Sequence, residues 1–167
     1  LLPTGTVETC VLIENGLIAG IGDNFRADIT IMGKGFLLTP SLIDVHGDSF
    51  ERQIMPRPGV KIPLEIAIKE TDKQLATNGI TTGYHAITFS WEDGLRSIDS
   101  SQKLISFIDR FSNYLSVENR IQIRWETFAF EAIEFIEKSF LNTLPPALAF
   151  NDHTSITMRP FNTTLQQ

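Results

Sequence analysis

From residue 42 onward the chain alternates short apolar runs with amphipathic stretches, and this alternation limits the possible folds more than any other feature. Residues 42–46 (Leu-Ile-Asp-Val-His) form a short, largely apolar run, the pattern of a strand buried on both faces. Residues 63–78 read as a helix. Pro63 suits the first turn, Leu64, Ala67, Ile68, Leu75 and Ala76 recur near helical spacing, and Gly79 stands where a glycine ends a helix. Residues 80–89 are rich in β-branched and aromatic side chains, as a second strand requires. Residues 100–115 carry Leu104, Ile105, Phe107, Ile108, Phe111 and Leu115 on one broad helical face. A third strand over 121–128, a third helix over 131–141 and a fourth strand over 147–151 complete the series. Strand-to-strand separations of roughly 25 to 40 residues each leave room for a crossover helix. The fold class predicted is α/β, with about four βα units on a parallel sheet. That is half of a TIM-type (β/α)8 barrel, which needs ~250 residues.

The first forty residues have a different texture. Residues 7–13 alternate roughly and end at Asn15-Gly16, a pair suited to the positive φ angles of a tight hairpin; residues 17–21 then return to Gly22-Asp23-Asn24. Residues 27–32 and 36–38 supply two more short runs before Pro40. The expectation is two parts: a small antiparallel sheet over 1–40, and the βα series over 41–167.

Composition excludes several function classes. With 14 Lys and Arg against 20 Asp and Glu, the net charge of −6 argues against nucleic-acid binding, which relies on clustered cations. No apolar run approaches the ~20 residues that span a bilayer. Cys10 is the single cysteine, so no intramolecular disulfide framework exists and a cytoplasmic location is the expectation. The chain begins with Leu1, not Met, and shows no leader pattern. Asn162-Thr163-Thr164 fits a glycosylation sequon, a pattern short enough to arise by chance.

The chemistry-bearing side chains gather at the C-terminal ends of expected strands, the edge where parallel α/β folds bind ligands. His46 and Asp48 come at the end of the first barrel strand, Glu126 near the end of the third, and Asp152-His153 after the fourth. On extended backbone, His46 and Asp48 share a face, and an imidazole with a carboxylate can hold one divalent cation. Plainer readings stand beside these. An H-x-D pattern by itself is more often a strand-end cap, Glu126 has Arg124 and Arg57 as ion-pair candidates, and Asp152 suits a helix N-cap. His85, inside the second strand, reads as a hydrogen-bonded core histidine.

The stretch from residue 13 to 48 contains Ile-Glu-Asn-Gly-Leu-Ile-Ala-Gly-Ile-Gly and then Gly-Lys-Gly-Phe-Leu-Leu-Thr-Pro-Ser-Leu-Ile-Asp-Val-His-Gly-Asp. It resembles the N-terminal part of the amidohydrolase superfamily, in which a β-sandwich piece leads into the first barrel strand and an H-x-H motif. Ser41 replaces the usual glycine and Asp48 the second histidine. His46-Gly47-Asp48-Ser49, the Met55-Pro56-Arg57-Pro58 segment, Asn78-Gly79-Ile80-Thr81-Thr82, Arg124-Trp125-Glu126 and Asn151-Asp152-His153 narrow the likeness. Together they resemble the branch that contains the ribose 5-triphosphate diphosphatases of phosphonate breakdown, over residues 6 to 155.

The resemblance implies a metal-dependent hydrolase that cleaves a ribose 5-triphosphate to the 5-phosphate and pyrophosphate. It implies a divalent ion (Zn, Mn, Ni or Fe) held by His46, Asp48 and Glu126, with Glu126 and Asp152 as catalytic carboxylates. Arg57, then Arg52, and His153 would bind the small phosphorylated sugar substrate. No lysine lies near the fourth strand end to form a carbamylated bridge. Further ligands in such relatives come from later strands, so the chain reads as an N-terminal half. It is expected to be inactive alone and, with open sheet edges, to self-associate as a homo-oligomer. Two other readings stay open: a C–N bond amidohydrolase of the same superfamily, and a non-catalytic half-barrel.

Overall fold

The computed structural model describes residues 3–154. The chain divides into two compact units, Leu1–Ser41 and Leu42–Gln167. The Asn162 sequon lies outside the described residues.

The first unit is built on a hairpin of β1 (Cys10–Glu14) and β2 (Leu17–Gly22), paired antiparallel from Cys10↔Gly22 to Glu14↔Leu17. Asn15 at φ 52° and Gly16 at φ 78° make the turn, the left-handed pair the sequence called for. The Phe25 ring lies over Gly20, where a Cβ would stand 2.8 Å from its Cζ. The other two expected strands are corrected. Residues 27–32 and 36–38 are irregular, and Gly33 to Phe36 forms a turn closed by Phe36 N–H to Gly33 O at 2.9 Å. Ile29, Ile31 and Phe36 stay more than 80% exposed. An apolar alternation becomes a strand only where it pairs regularly with another strand, and these two segments join no strand pair among the described residues. The small sheet is therefore two-stranded.

The second unit carries β3 (Leu42–Gly47), α1 (Ser49–Ile54), α2 (Leu64–Thr77), β4 (Ile80–Phe89), α3 (Ile98–Phe111), β5 (Glu118–Glu126), α4 (Ile133–Ser139) and β6 (Ala147–Asn151). The sheet is parallel throughout, in the order β3-β4-β5-β6. Successive strands thus lie side by side, each joined to the next by a helical crossover, as the spacing required. The expected ends of β4 and β6 match the structure. Strand β5 starts earlier, at Glu118; α3 runs two residues earlier and closes in a 3-10 turn, Ser112–Tyr114. The short helix α1 went unanticipated: six residues are too few for a periodicity to register.

One layer of helices covers one face of the sheet. Ile87 and Phe89 of β4 and Ile123 of β5 pack with Phe50 and Ile54 of α1, Ala67 and Ile68 of α2, Leu104, Ile105 and Ile108 of α3, and Ile136 of α4. Strand β3 was expected to be buried on both faces, and this too is corrected. It lies at the sheet edge with β4 as its sole described neighbour, and Leu42, Ile43 and Val45 are each at least 60% exposed. Among the described residues no helix is long and apolar enough to cross a membrane.

Candidate functional site

Two carboxyl-bearing strand ends lie beside each other. Glu126 is the last residue of β5, paired in register with Asn151, the last of β6, so Asp152 and His153 emerge next to it. Glu126 is only 4% exposed, and His153 meets it twice. The main-chain N–H of His153 donates to Oε2 at 3.3 Å and ring Nδ1 lies 2.6 Å from Oε1. A buried carboxylate thus fixes an imidazole that stays half exposed, the arrangement that orients a histidine for proton transfer. Neither Arg124 nor Arg57 pairs with Glu126; His153 does. Asp152 is exposed, and its Oδ1 accepts the main-chain N–H of Thr154 at 3.0 Å and the Thr154 hydroxyl. These bonds hold its carboxyl below the usual carboxylate range. Locally this is the turn-capping geometry that the sequence also allowed.

His46 and Asp48 lie at the far end of the same edge, two strands away from β5. Strand pairing slips between Asp44 and Gly47, and the His46 N–H donates to Asp44 Oδ1 at 3.1 Å instead of to the sheet. Gly47 is needed there, because a Cβ would stand 2.7 Å from Asp44 Oδ2. The strand ends at Gly47, and Asp48, at φ −118° and ψ 7°, precedes α1 in a non-extended conformation. The two-residue spacing therefore does not act over continuous strand, as the shared-face argument assumed. Both side chains are exposed.

Sequence reasoning missed Arg96. It lies in the loop after β4 and donates through Nε and Nη2 to the two oxygens of Glu51 in α1, both at 3.1 Å. The fork matches the carboxylate and ties α1, and hence the segment after His46, to the neighbouring loop. Glu51 is the main reason that the guanidinium is pushed further above its ordinary range; Glu92 and Asp48 add to it. A partner 45 residues away leaves no local signal. Arg57 opens a turn closed by Val60 N–H to Arg57 O at 3.1 Å, with Gly59 at φ 79°; Arg52 sits in the last turn of α1. Both arginines are exposed.

Beneath this edge lies a buried polar network. Asp72 of α2 accepts the N–H groups of Ser116 and Val117, each at 2.9 Å, and Asn119 Nδ2 at 3.0 Å. Asn119 uses Nδ2 as donor, so its Oδ1 is the acceptor for His85 Nε2 at 2.6 Å. Phe50 meets the His85 ring edge-on, 5.6 Å between centroids. Burial holds His85 below the usual imidazole range, against the opposing pull of the Asn119 bond, Asp44 and Asp72. His85 is thus the core histidine anticipated. Asp72 was not singled out, although a carboxylate between Ile68 and Leu75 on an apolar helix face was a readable signal.

Among the described residues no three His, Cys, Asp or Glu side chains lie close enough together to hold a metal ion. His46, Asp48 and Glu126 therefore do not form a metal centre by themselves, Glu126 being taken up by His153.

No protein-family model matches the chain, and no solved structure matches it. Among curated proteins it is similar to the α-D-ribose 1-methylphosphonate 5-triphosphate diphosphatase of Escherichia coli strain K12, at 25% identity over 157 residues. The match covers 92% of this chain and 42% of that protein, so the chain spans less than half the length of the relative it matches.

Proposed function

We propose that this chain is part of a hydrolase that cleaves a phosphoric anhydride in a phosphorylated sugar, releasing pyrophosphate from a ribose 5-triphosphate. The observation that carries the reading is the Glu126–His153 pair at the C-terminal edge of a parallel sheet, in a chain similar to a diphosphatase along nearly its whole length. In this reading His153 takes the proton from the attacking water, and Glu126 fixes the ring and stabilises its charged form. The proton then passes to the leaving pyrophosphate. Asp152 shapes the turn that carries His153. The Glu51–Arg96 clamp holds α1 in place, and Arg57 and Arg52 are the cations offered to the outer phosphates. A divalent-metal requirement belongs to the proposal. The ligands gathered here are too few to form the centre, so His46 and Asp48 would serve only with ligands from outside this chain.

The test joins this chain to the remaining length of the E. coli relative and follows a ribose 5-triphosphate by phosphorus NMR. Release of pyrophosphate, not orthophosphate, is expected, with turnover cut about a hundredfold by His153→Ala. Orthophosphate alone, or indifference to that substitution, contradicts the reading. A second reading, a binding module without catalysis, draws on the missing third metal ligand and expects intact binding with no release.

A further inference from the structure

The face of the sheet turned away from the helices carries the side chains that alternate with Ile87 and Ile123: Ala86 and Thr88 on β4, Gln122, Arg124 and Glu126 on β5, Ala147, Ala149 and Asn151 on β6. Among the described residues, buried side-chain atoms without hydrogen-bond partners concentrate on this face. Thr88 Oγ1, Arg124 Nε and Asn151 Nδ2 are among them. Leaving such a group dry and unpaired is costly, so a folded protein rarely keeps several together unless something else completes them.

These three stand close by register. Thr88 is directly opposite Arg124, and Asn151 is directly opposite Glu126, one pleat further along. All three can donate, and they come from three adjacent strands. Ala149, with its small side chain, stands opposite Arg124 on the other side. Arg120 Nε, four residues earlier on the same face, is also without a hydrogen bond, but its charge is already met by Glu118 at 3.4 Å and it lies over the Tyr84 ring. The Glu126 charge, which would oppose an anion, already faces His153 through both oxygens. Gln122 Oε1, an unpaired acceptor, sits one pleat deeper and outside the donor set.

We propose that Thr88, Arg124 and Asn151 form a binding site for a tetrahedral oxyanion of the phosphate or phosphonate class. Three donors on one face match the three or more oxygens of a tetrahedral group better than the two of a carboxylate, and the arginine supplies the charge. That the oxyanion is part of the substrate rests on the hydrolase reading above; the oxyanion site itself does not.

Calorimetric titration of the 167-residue chain with inorganic phosphate and with pyrophosphate, at constant ionic strength, tests this. Saturable binding is expected, weakened about tenfold or more by Arg124→Gln and unchanged by Arg110→Gln on the outer face of α3. Thr88→Val removes an unpaired hydroxyl at constant shape. It is expected to weaken phosphate binding while raising the phosphate-free melting midpoint, a pair of effects that a purely structural role does not produce. If Arg124→Gln fails to fold, Thr88→Val decides by that pair. Absence of binding, binding indifferent to both substitutions, or equal competition by acetate overturns the proposal. Failure of the hydrolase reading looks different: phosphate binds with these sensitivities, and no turnover follows.

Discussion

Ring Nδ1 of His153 lies 2.6 Å from Oε1 of Glu126, joining the residue two past the end of β6 to the buried last residue of β5. The carboxylate accepts, so the neutral ring carries its proton on Nδ1. Nitrogen-15 NMR of the imidazole is expected to report that tautomer as dominant. Glu126→Leu removes the acceptor and is expected to shift the ring toward the Nε2-protonated form usual in free histidine. An unchanged tautomer in the variant would show that the carboxylate does not orient the ring.

Asp72 accepts two main-chain N–H groups and one side-chain amide, all within a buried junction between α2 and the start of β5. Asp72→Ala strands those donors and is expected to cost about 3 kcal/mol, near the upper end for a single substitution. Asp72→Asn keeps an acceptor for Val117 and Asn119, loses the one facing Ser116, and should cost less. Urea unfolding midpoints measure both.

His85 gives the fold a pH dependence of known sign. Its folded-state pKa is depressed by burial, below the unfolded value of about 6.5. The unfolded chain therefore binds the proton more readily. The stability due to the neutral buried ring is complete above pH ~6.5 and falls as pH drops below it toward the depressed folded-state value. Urea unfolding between pH 5 and 7.5 is expected to show this loss in the wild type, and a flatter profile in His85→Gln (~1.4 kcal/mol for each unit of pKa difference removed). Identical slopes would assign the acid sensitivity to other groups.

Much of this architecture was legible in the chain. Strand β4 and helix α2 carry dense local signals: a β-branched run, a Pro63 start, a Gly79 stop. What escaped was whatever depends on a distant partner. Residues 27–32 and 36–38 alternate like strands but belong to no strand pair among the described residues, and β3 is as apolar as a central strand yet lies at an edge of the described sheet. The candidate site divides the same way. The sequence brings Glu126, Asp152 and His153 to one edge through strand spacing alone. The Arg96–Glu51 fork and the bond from Asn119 to His85 link positions 45 and 34 residues apart, which no local pattern encodes.

Gly47, between His46 and Asp48, lets the Asp44 carboxylate lie close against the backbone. Gly47→Ala puts a Cβ 2.7 Å from Asp44 Oδ2, and the flexible carboxylate must swing away from the His46 N–H it accepts. Global stability is expected to fall by about 1 kcal/mol, with faster hydrogen exchange at the His46 amide. Unaltered exchange there would mean that Asp44 does not pin the segment.

Strands β3 and β6 each leave one edge unpaired among the described residues, and Leu42, Ile43 and Val45 are exposed on β3. Such edges recruit other strands. Sedimentation of the 167-residue chain is expected to show concentration-dependent self-association, reduced by Val45→Lys. A strictly monomeric chain at all concentrations would contradict this.

In the proposed function, His46 serves together with the Glu126–His153 pair at the active edge of a pyrophosphate-releasing hydrolase. The direct measurement is the rate of pyrophosphate release from a ribose 5-triphosphate, with divalent metal present, by this chain joined to the remaining length of its E. coli relative. Release by the joined protein is expected, with none by the 167-residue chain alone and a loss of at least about a hundredfold on His46→Ala. A folded joined protein that releases no pyrophosphate, or releases it equally well with alanine at position 46, would contradict it.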